Sequence, residues 1–322
     1  MKYLITGGTG SLGKALIRRL LKNKNNKVIV YSRDEAKQAL AFGNEPGVFR
    51  VIGNIRDFEK LNITMQRHCP DVVIHTAALK RIDDMELYPD ECVKTNILGT
   101  ENVARAALIN NVYKCILIST DKACQPVNVY GSSKFIAERI FTNYDYTSQY
   151  TVFASVRYGN VIASRGSFIP LWMRLLYKGE RIKVTSTKMS RFLFTLEDAV
   201  TTVMDSLAAA EGDEVFIPNI GSYSMETILS AVEKISEQPV EYDIIGLRPG
   251  EKLHEDMLAK TELPFTYHVP HSNLLCVRPQ YSSRVVRDVW KPYVGKEFNS
   301  SLHTDENVDR LVELIYKGLE EV

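Results

Sequence analysis

No stretch of the 322-residue sequence approaches the roughly 20 consecutive apolar residues that cross a bilayer, so no membrane insertion is expected. An excess of one charge sign is missing too. Forty Lys and Arg against 39 Asp and Glu leave a net charge of +1, which gives no general attraction to nucleic acid or anionic lipid. A local basic pocket for a phosphorylated ligand stays compatible with that balance. Cysteine is scarce and unpatterned: Cys69, Cys92, Cys115, Cys124 and Cys276 form no CxxC pair, which argues against structural zinc and against a disulfide framework. Cys124 has no obvious base beside it for nucleophilic chemistry. His75, His254, His268 and His271 lack ligand spacing, so no metal is expected, and His75 reads as a packed core residue. Repeats and low-complexity tracts are absent. MKYLITGG reads as a buried first strand without signal-peptide layout, and a cytoplasmic protein is the expectation.

What is present is an ordinary globular composition, 45% apolar and 25% charged. Short branched runs, KYLIT, KVIVYS, VFRVI, DVVIHTA, KCILIST and TVFASVRY, alternate with helical patterns such as SLGKALIRRLLKNK and ILGTENVARAALINN. Runs of that kind suit strands buried on both faces, and the alternation predicts an α/β protein: a Rossmann-like doubly wound parallel sheet. The second half is less regular. TLEDAVTTVMDSLAAAEG reads as a helix with Thr195 as N-cap and Glu197 and Asp198 in its first turn. The expected division is a nucleotide domain over 1–165, with about 191–235 returning to it. A smaller C-terminal substrate-binding lobe is expected from 166–190 and 236–322.

TGGTGSLG follows the first strand and opens a helix. Gly7 permits a tight turn, Gly10 lets backbone approach a pyrophosphate, and Gly13 allows close helix packing, with Thr9, Ser11 and Leu12 in the same dinucleotide-binding turn. At the end of the second strand, Ser32 and Arg33 stand where an NAD site usually has a carboxylate. A guanidinium can fork a 2′-phosphate, so NADP is expected over NAD, with Asp34 keeping NAD open. Asp57 after the third strand suits the adenine edge, and Ala77, Ala78 and Lys80 after the fourth suit the ribose and phosphates.

Tyr130 and Lys134 are one helical turn apart on one face. An ammonium beside a phenol is expected to lower the phenol pKa from about 10 towards neutrality. Thr120, at the end of the preceding strand, can bind a sugar hydroxyl or join the phenolate network.

With TGxxGxxG and YxxxK in this order of elements, the chain resembles the extended short-chain dehydrogenase/reductase superfamily. STDKA (119–123), PVNVYGSSK (126–134), VRYGNV (156–161), RGSFIP (165–170), SRFLFTLEDAV (190–200) and RPGEKLHE (248–255) narrow the likeness. Together they resemble the C5-inverting UDP-N-acetylglucosamine 4,6-dehydratases of the polysaccharide biosynthesis protein family, over about residues 1–260. The resemblance implies UDP-N-acetylglucosamine as substrate, a homo-oligomer, and a dehydration run through temporary oxidation of C4. Tyr130 takes the C4 hydroxyl proton as hydride leaves, and Lys134 holds the cofactor ribose. The C5 hydrogen is then α to a ketone, and Lys122 removes it while Asp121, jointly with Lys122, assists loss of the C6 hydroxyl. Related enzymes that retain C5 configuration carry Asp-Glu where this chain has Asp121-Lys122. A lysine in that role is expected to have a depressed pKa, from burial or nearby cations. For the substrate, the resemblance points to Lys80, Asn160, Val184, Thr185, Arg191, Arg248 and Glu251, with Arg157 and Arg165 as weaker candidates. Arg248 has a second reading, as a brace of its own loop. A UDP-N-acetylhexosamine 4-epimerase, or a combined dehydratase and epimerase, is the alternative enzyme; a nucleotide-binding module without chemistry is the non-enzymatic one.

Overall fold

The computed structural model describes residues 1–162, 164, 166–279 and 289–321. The first half alternates β1 (Lys2–Thr6), α1 (Ser11–Leu21), β2 (Lys27–Ser32), α2 (Glu35–Phe42), β3 (Val48–Ile52), α3 (Phe58–His68) and β4 (Val72–His75). It continues through α4 (Ile82–Leu87), α5 (Pro89–Cys92), a π-helical turn (Val93–Leu98), α6 (Gly99–Ile109), β5 (Lys114–Ile118), α7 (Val129–Thr147) and β6 (Val152–Val156). The strands are the branched apolar runs of the sequence. β4 and β5 are buried along their whole length, as strands covered on both faces must be.

The second half supplies β7 (Asn160–Val161), α8 (Phe168–Leu176), β8 (Ile182–Val184), β9 (Ser190–Phe194), α9 (Leu196–Ala209), β10 (Val215–Pro218), β11 (Ser222–Ser224) and α10 (Met225–Ser236). Then come β12 (Tyr242–Ile244), β13 (Asp256–Leu258), β14 (Thr266–His268), β15 (Leu274–Val277), β16 (Lys291–Pro292), β17 (Phe298–Asn299) and α11 (Val308–Glu320). The main sheet runs β16-β14-β15-β10-β6-β5-β4-β1-β2-β3. From β10 to β3 its pairings are parallel, and β15, β14 and β16 add an antiparallel edge.

Helices cover both faces of this sheet. On one, Leu16, Ile17 and Leu20 of α1 join Val200 and Val203 of α9; on the other, Leu61 of α3, Val103 of α6 and Phe141 of α7 pack against Leu4 and Val73. Each such aliphatic side chain contributes about 1.5–3 kcal/mol by leaving water. A separate core binds α8, α10 and α11 through Trp172, Ile228, Val232, Leu311 and Ile315. Thr195 caps α9 in a reciprocal capping box with Asp198.

The boundary between the two bodies runs differently from the expected division. α10 packs in the second core, whereas β14 and β15 return to the main sheet. Strands of three or four residues carry too little periodicity to reveal such a return. Among the described residues no helix is long and apolar enough to cross a membrane.

Candidate active site

β1 ends at Thr6 and the chain turns through Gly7 at φ +69°, where a Cβ would lie 2.9 Å from the Ala77 backbone. A Cβ on Gly13 would meet Gly8 Cα at 2.6 Å, so α1 can pack this close only with glycine there. Gly10 is different: the sole neighbour of an added Cβ is Gly7 O, at 3.3 Å, and the turn is open on that side. Gly10 is also the N-cap of α1 and offers no side-chain cap, so that the helix N-terminus, the end that favours an anion, faces the opening. Thr9, Ser11 and Leu12 lie half-buried around the opening. This cradle fits the pyrophosphate of a dinucleotide.

The other strand ends present their groups less uniformly. Ser32 Oγ accepts a hydrogen bond from Gln38 Nε2 at 2.9 Å, and Arg33 is exposed. Asp34 and Asp57 serve as N-caps, accepting from Lys37 N and Lys60 N at 2.9 Å each. Ala77 and Ala78 are half-buried, and Lys80 is exposed. Asn96, which the sequence reading missed, clamps the loop after β4. Its side chain accepts from Leu79 N at 2.8 Å and donates to Leu79 O at 2.9 Å and Ser133 Oγ at 3.0 Å. It sits in the π-helical turn, a departure from regular helix that often marks functional positions.

Below this loop, His75 bridges Thr6 Oγ1 at 2.7 Å and Thr100 Oγ1 at 3.0 Å, and burial together with the Lys134 charge pulls its pKa down to about 3. It is a neutral core histidine.

The chemically reactive groups gather where β5 ends. A single 3-10 turn, Asp121–Ala123, leads to α7, whose N-cap Asn128 accepts from Gly131 N at 2.6 Å. Asp121 Oδ1 accepts from Thr120 Oγ1 at 2.7 Å, from Lys122 N at 2.9 Å and from Lys122 Nζ at 3.1 Å. Lys122 Nζ also pairs with Glu255 Oε1 at 3.2 Å. Asp121 Oδ2 and Glu255 Oε2 are buried without a hydrogen-bond partner among the described residues. Tyr130 lies half-buried with the Thr120 hydroxyl at its phenol. Lys134 is buried and donates to Ile118 O at 2.5 Å.

Two electrostatic expectations are corrected by these surroundings. Burial pushes the Tyr130 phenol up to about 12, against the pull of Lys122, so Lys134 does not bring it near neutrality. Burial likewise works against the Lys122 ammonium, yet Asp121 and Glu255 outweigh it and hold its pKa above the ordinary lysine value, not below it. Burial raises Asp121; Lys122 pulls it back, and repulsion from Glu255 adds to the rise. Lys134, in contrast, is pulled down to about 8 by burial, with Glu138 and Cys92 opposing.

On the substrate side, Arg191 is buried and donates to the carbonyls of Ser190, Leu253 and Lys252 at 2.7, 2.9 and 3.1 Å. Its ion pair with Glu251 spans 3.5 Å. Arg248 is exposed and bonds Glu251 at 3.1 Å and Asp83 of α4 at 3.2 Å, bracing its loop against the nucleotide half. Asn160 of β7 has a buried Oδ1 without a partner among the described residues, while Val184 is buried and Thr185 half-buried at the end of β8. Arg157 is consumed by Glu138 and Glu262 inside the protein, and Arg165 lies outside the described residues. Among the described residues no cluster of His, Cys, Asp or Glu could hold a metal ion.

Comparison with known proteins follows the same outline. A profile of the polysaccharide biosynthesis protein family matches residues 3–276. A UDP-N-acetylglucosamine 4,6-dehydratase (inverting) of Campylobacter jejuni subsp. jejuni serotype O:2 is 44% identical over 271 residues, 82% of this chain and 79% of that one. A UDP-glucose 4-epimerase of Rickettsia massiliae is 38% identical over 269 residues, covering 81% and 78%. Among solved structures, Pen from Bacillus thuringiensis superposes with a TM-score of 0.91 at 32% identity, over 100% of this chain and 98% of that one.

The expected preference for NADP is overturned. More distant structures of this fold hold NAD, among them the dTDP-glucose 4,6-dehydratase DesIV of Streptomyces venezuelae (TM-score 0.71, 20% identity, 79% and 87% covered). In this chain Arg33, which carried the expectation, points no bond into the cleft: it is exposed, and no hydrogen bond or ion pair holds it in place among the described residues.

Proposed function

The chain belongs to the polysaccharide biosynthesis protein family, and from that premise we propose that it is a C5-inverting 4,6-dehydratase of UDP-N-acetylglucosamine, working with NAD. The observation that carries this reading is the Asp121-Lys122 pair at the tip of β5, beside Tyr130, with one buried carboxylate oxygen that has no partner among the described residues. An epimerase that only swaps the C4 hydroxyl has no use for an acid and an amine poised for a second carbon–hydrogen bond.

When bound, the nicotinamide accepts a hydride and later returns it, so the cofactor is not consumed. The chain's own residues move the protons. Tyr130 removes the C4 hydroxyl proton; its raised pKa in the free protein means that it loses its own proton only with the help of nearby positive charge, which Lys122 supplies. With C4 a ketone, the neutral Lys122 amine takes the C5 proton, and Asp121, biased towards its protonated form, gives a proton to the departing C6 oxygen. C5 is then reprotonated from its opposite face, as inversion requires. Arg191, Glu251, Asn160 and Thr185 face the UDP moiety, with Val184 packed behind them and Arg248 bracing the loop that carries Glu251. Exposed Phe135 and Ile136 on α7, with exposed Leu98, support assembly as a homo-oligomer.

Incubation with UDP-N-acetylglucosamine in deuterated water tests the reading. The product should weigh one water less, carry solvent deuterium at C5 in inverted configuration, and hold at C6 the hydrogen that left C4. An isobaric C4 epimer, or retention at C5, would refute it.

A further inference from the structure

Lys122 presents a difficulty for any base role, because its ammonium is held between two carboxylates at 3.1 and 3.2 Å. An amine can take a proton only after shedding one. The two neighbours are not equivalent as acceptors. Asp121 Oδ1 already receives three donors and its carboxyl is needed as the acid at C6, whereas among the described residues Lys122 alone pairs with the Glu255 side chain.

The Glu255 position is fixed. Its N–H donates to Ser300 Oγ at 2.9 Å, its carbonyl accepts from Ser300 N at 2.8 Å, and Ser300 Oγ pairs with Ser190 Oγ at 2.7 Å. Pairing of β13 with β17 brings this clamp together. The side chain is buried, and Oε2 has no partner among the described residues. A carboxylate kept out of water, tied at the backbone and paired, among the described residues, with the reactive amine alone is costly unless it serves that amine.

We propose that Glu255 is a third member of the elimination machinery, a positioning residue that acts through Lys122. It accepts the proton Lys122 must shed, leaving the amine free to take the C5 hydrogen while Asp121 protonates the C6 oxygen. The protons balance. The ammonium passes one proton to the Glu255 carboxylate, the amine regains one from C5, and Asp121 loses one to the hydroxyl that leaves as water; C5 takes a solvent proton on its opposite face, matched by the C4 hydroxyl proton that Tyr130 gives up, and the Glu255 proton restores Asp121. The charged and titratable groups facing this cluster are Asp121 and Lys122 on the turn, Tyr130 on α7 and Arg191 on β9. This inference rests on the proposed roles of Lys122 and Asp121.

The test compares Glu255→Gln, Glu255→Asp, Lys122→Ala and the parent, reading cofactor reduction and C5 exchange with deuterated water across the neutral pH range. Glutamine keeps the shape but cannot take the proton. Glu255→Gln should reduce its cofactor within about threefold of the parent rate and exchange C5 hydrogen at least about 100-fold more slowly. Its residual elimination should lose its alkaline limb at lower pH, because Asp121 no longer faces a second negative charge. Glu255→Asp, which keeps the charge but withdraws it from Nζ, should recover part of the exchange. Parent-rate exchange with an unmoved pH profile in Glu255→Gln would overturn the inference, as would equal loss of cofactor reduction and exchange. If the glutamine variant does not fold, Glu255→Asp decides: exchange at the parent rate overturns the proposal, and at least a tenfold loss at full cofactor reduction supports it. Normal C5 exchange in Lys122→Ala would instead refute the Lys122 role itself.

Discussion

Two buried ionic clusters sit back to back at the ends of β5 and β6. In one, Arg157 is fully buried and its guanidinium is saturated: Nε and Nη2 donate to Glu138 at 2.9 and 2.8 Å, Nη1 and Nη2 to Glu262 at 2.9 and 2.8 Å. Ser119 Oγ and Ala259 N satisfy the carboxylates further, at 2.5 and 3.0 Å. In the other, Asp121, Lys122 and Glu255 are as deeply set, yet each carboxylate keeps an oxygen without a partner among the described residues. The first cluster spends all its polarity on itself and ties β6, α7 and the segment at 257–262 together. The second holds some in reserve, at an energetic cost that a bound hydroxyl group or water can offset. Burial of charge therefore does not mark an active site; incomplete satisfaction does.

The largest effect that sharpens this contrast is expected at Tyr130. Tyr130→Phe removes the proton acceptor but keeps the ring, so C4 oxidation should fall about 10³–10⁴-fold, read as cofactor reduction on mixing with substrate. Stability should change by less than about 1.5 kcal/mol, the scale of one hydrogen bond. Parent-rate reduction would remove Tyr130 from the role proposed for it.

Arg157→Met attacks the saturated cluster and should do the reverse. Two carboxylates lose their cation in a dry interior, a loss of about 3–5 kcal/mol by denaturant titration. The pH dependence has a definite sign. Against the penalty of burial, Arg157 holds the Glu262 carboxyl below the usual range. Its stabilising contribution is present above the ordinary glutamate value and lost as pH falls through the lowered one. The gap between parent and variant should therefore close on acidification. A gap independent of pH would mean that packing, not charge, had been lost.

Lys134, a buried amine in neither cluster, tests the contrast from the stability side. Its pKa is about 8 in the folded protein against the ordinary 10.5, so the fold disfavours its charge. That cost is complete below pH 8 and fades as pH rises from 8 to 10.5, where the unfolded chain also loses the proton. Lys134→Met should raise stability by about 1–2 kcal/mol at neutral pH, after allowance for the lost bond to Ile118 O. The gain should vanish towards pH 10.5. Destabilisation at neutral pH would place Lys134 with Arg157 as structural.

The difference between the clusters also marks how far the sequence could be read. Glycines 7, 10 and 13, the parallel strands and the Asp121-Lys122 and Tyr130-Lys134 pairs are local patterns, and the turn, sheet and helix they predict are present. Glu255 was invisible because it comes 133 residues after Lys122, carried to it by the short β13–β17 pair. The pKa values of Tyr130 and Lys122 were misread because a neighbour in sequence is not the whole environment: burial dominates the first, and the distant Glu255 adds to the second. Arg248 showed the same limit, since its partner Asp83 lies 165 residues away on α4.

The smallest effect is expected at a third arginine, which belongs to neither cluster. Arg157 is defined by its bonds, and Arg191 by the carbonyls and Glu251 that hold it. Arg33 is exposed and has neither among the described residues. The Ser32 hydroxyl beside it accepts from Gln38, and Asp34 is committed to the start of α2, where Lys37 donates to it at 2.9 Å from the backbone and at 2.5 Å from the side chain. The end of β2 is therefore shaped by its own capping and not by Arg33. A mobile surface side chain must give up rotamer freedom before it can hold a ligand, which offsets much of what a solvent-screened contact returns. Arg33→Ala should leave the dissociation constant for NAD within about twofold of the parent value, measured by calorimetric titration of the dinucleotide into both proteins. A tenfold weakening would mean that Arg33 folds over the adenosine half on binding and that the end of β2, not only the glycine turn, grips the cofactor.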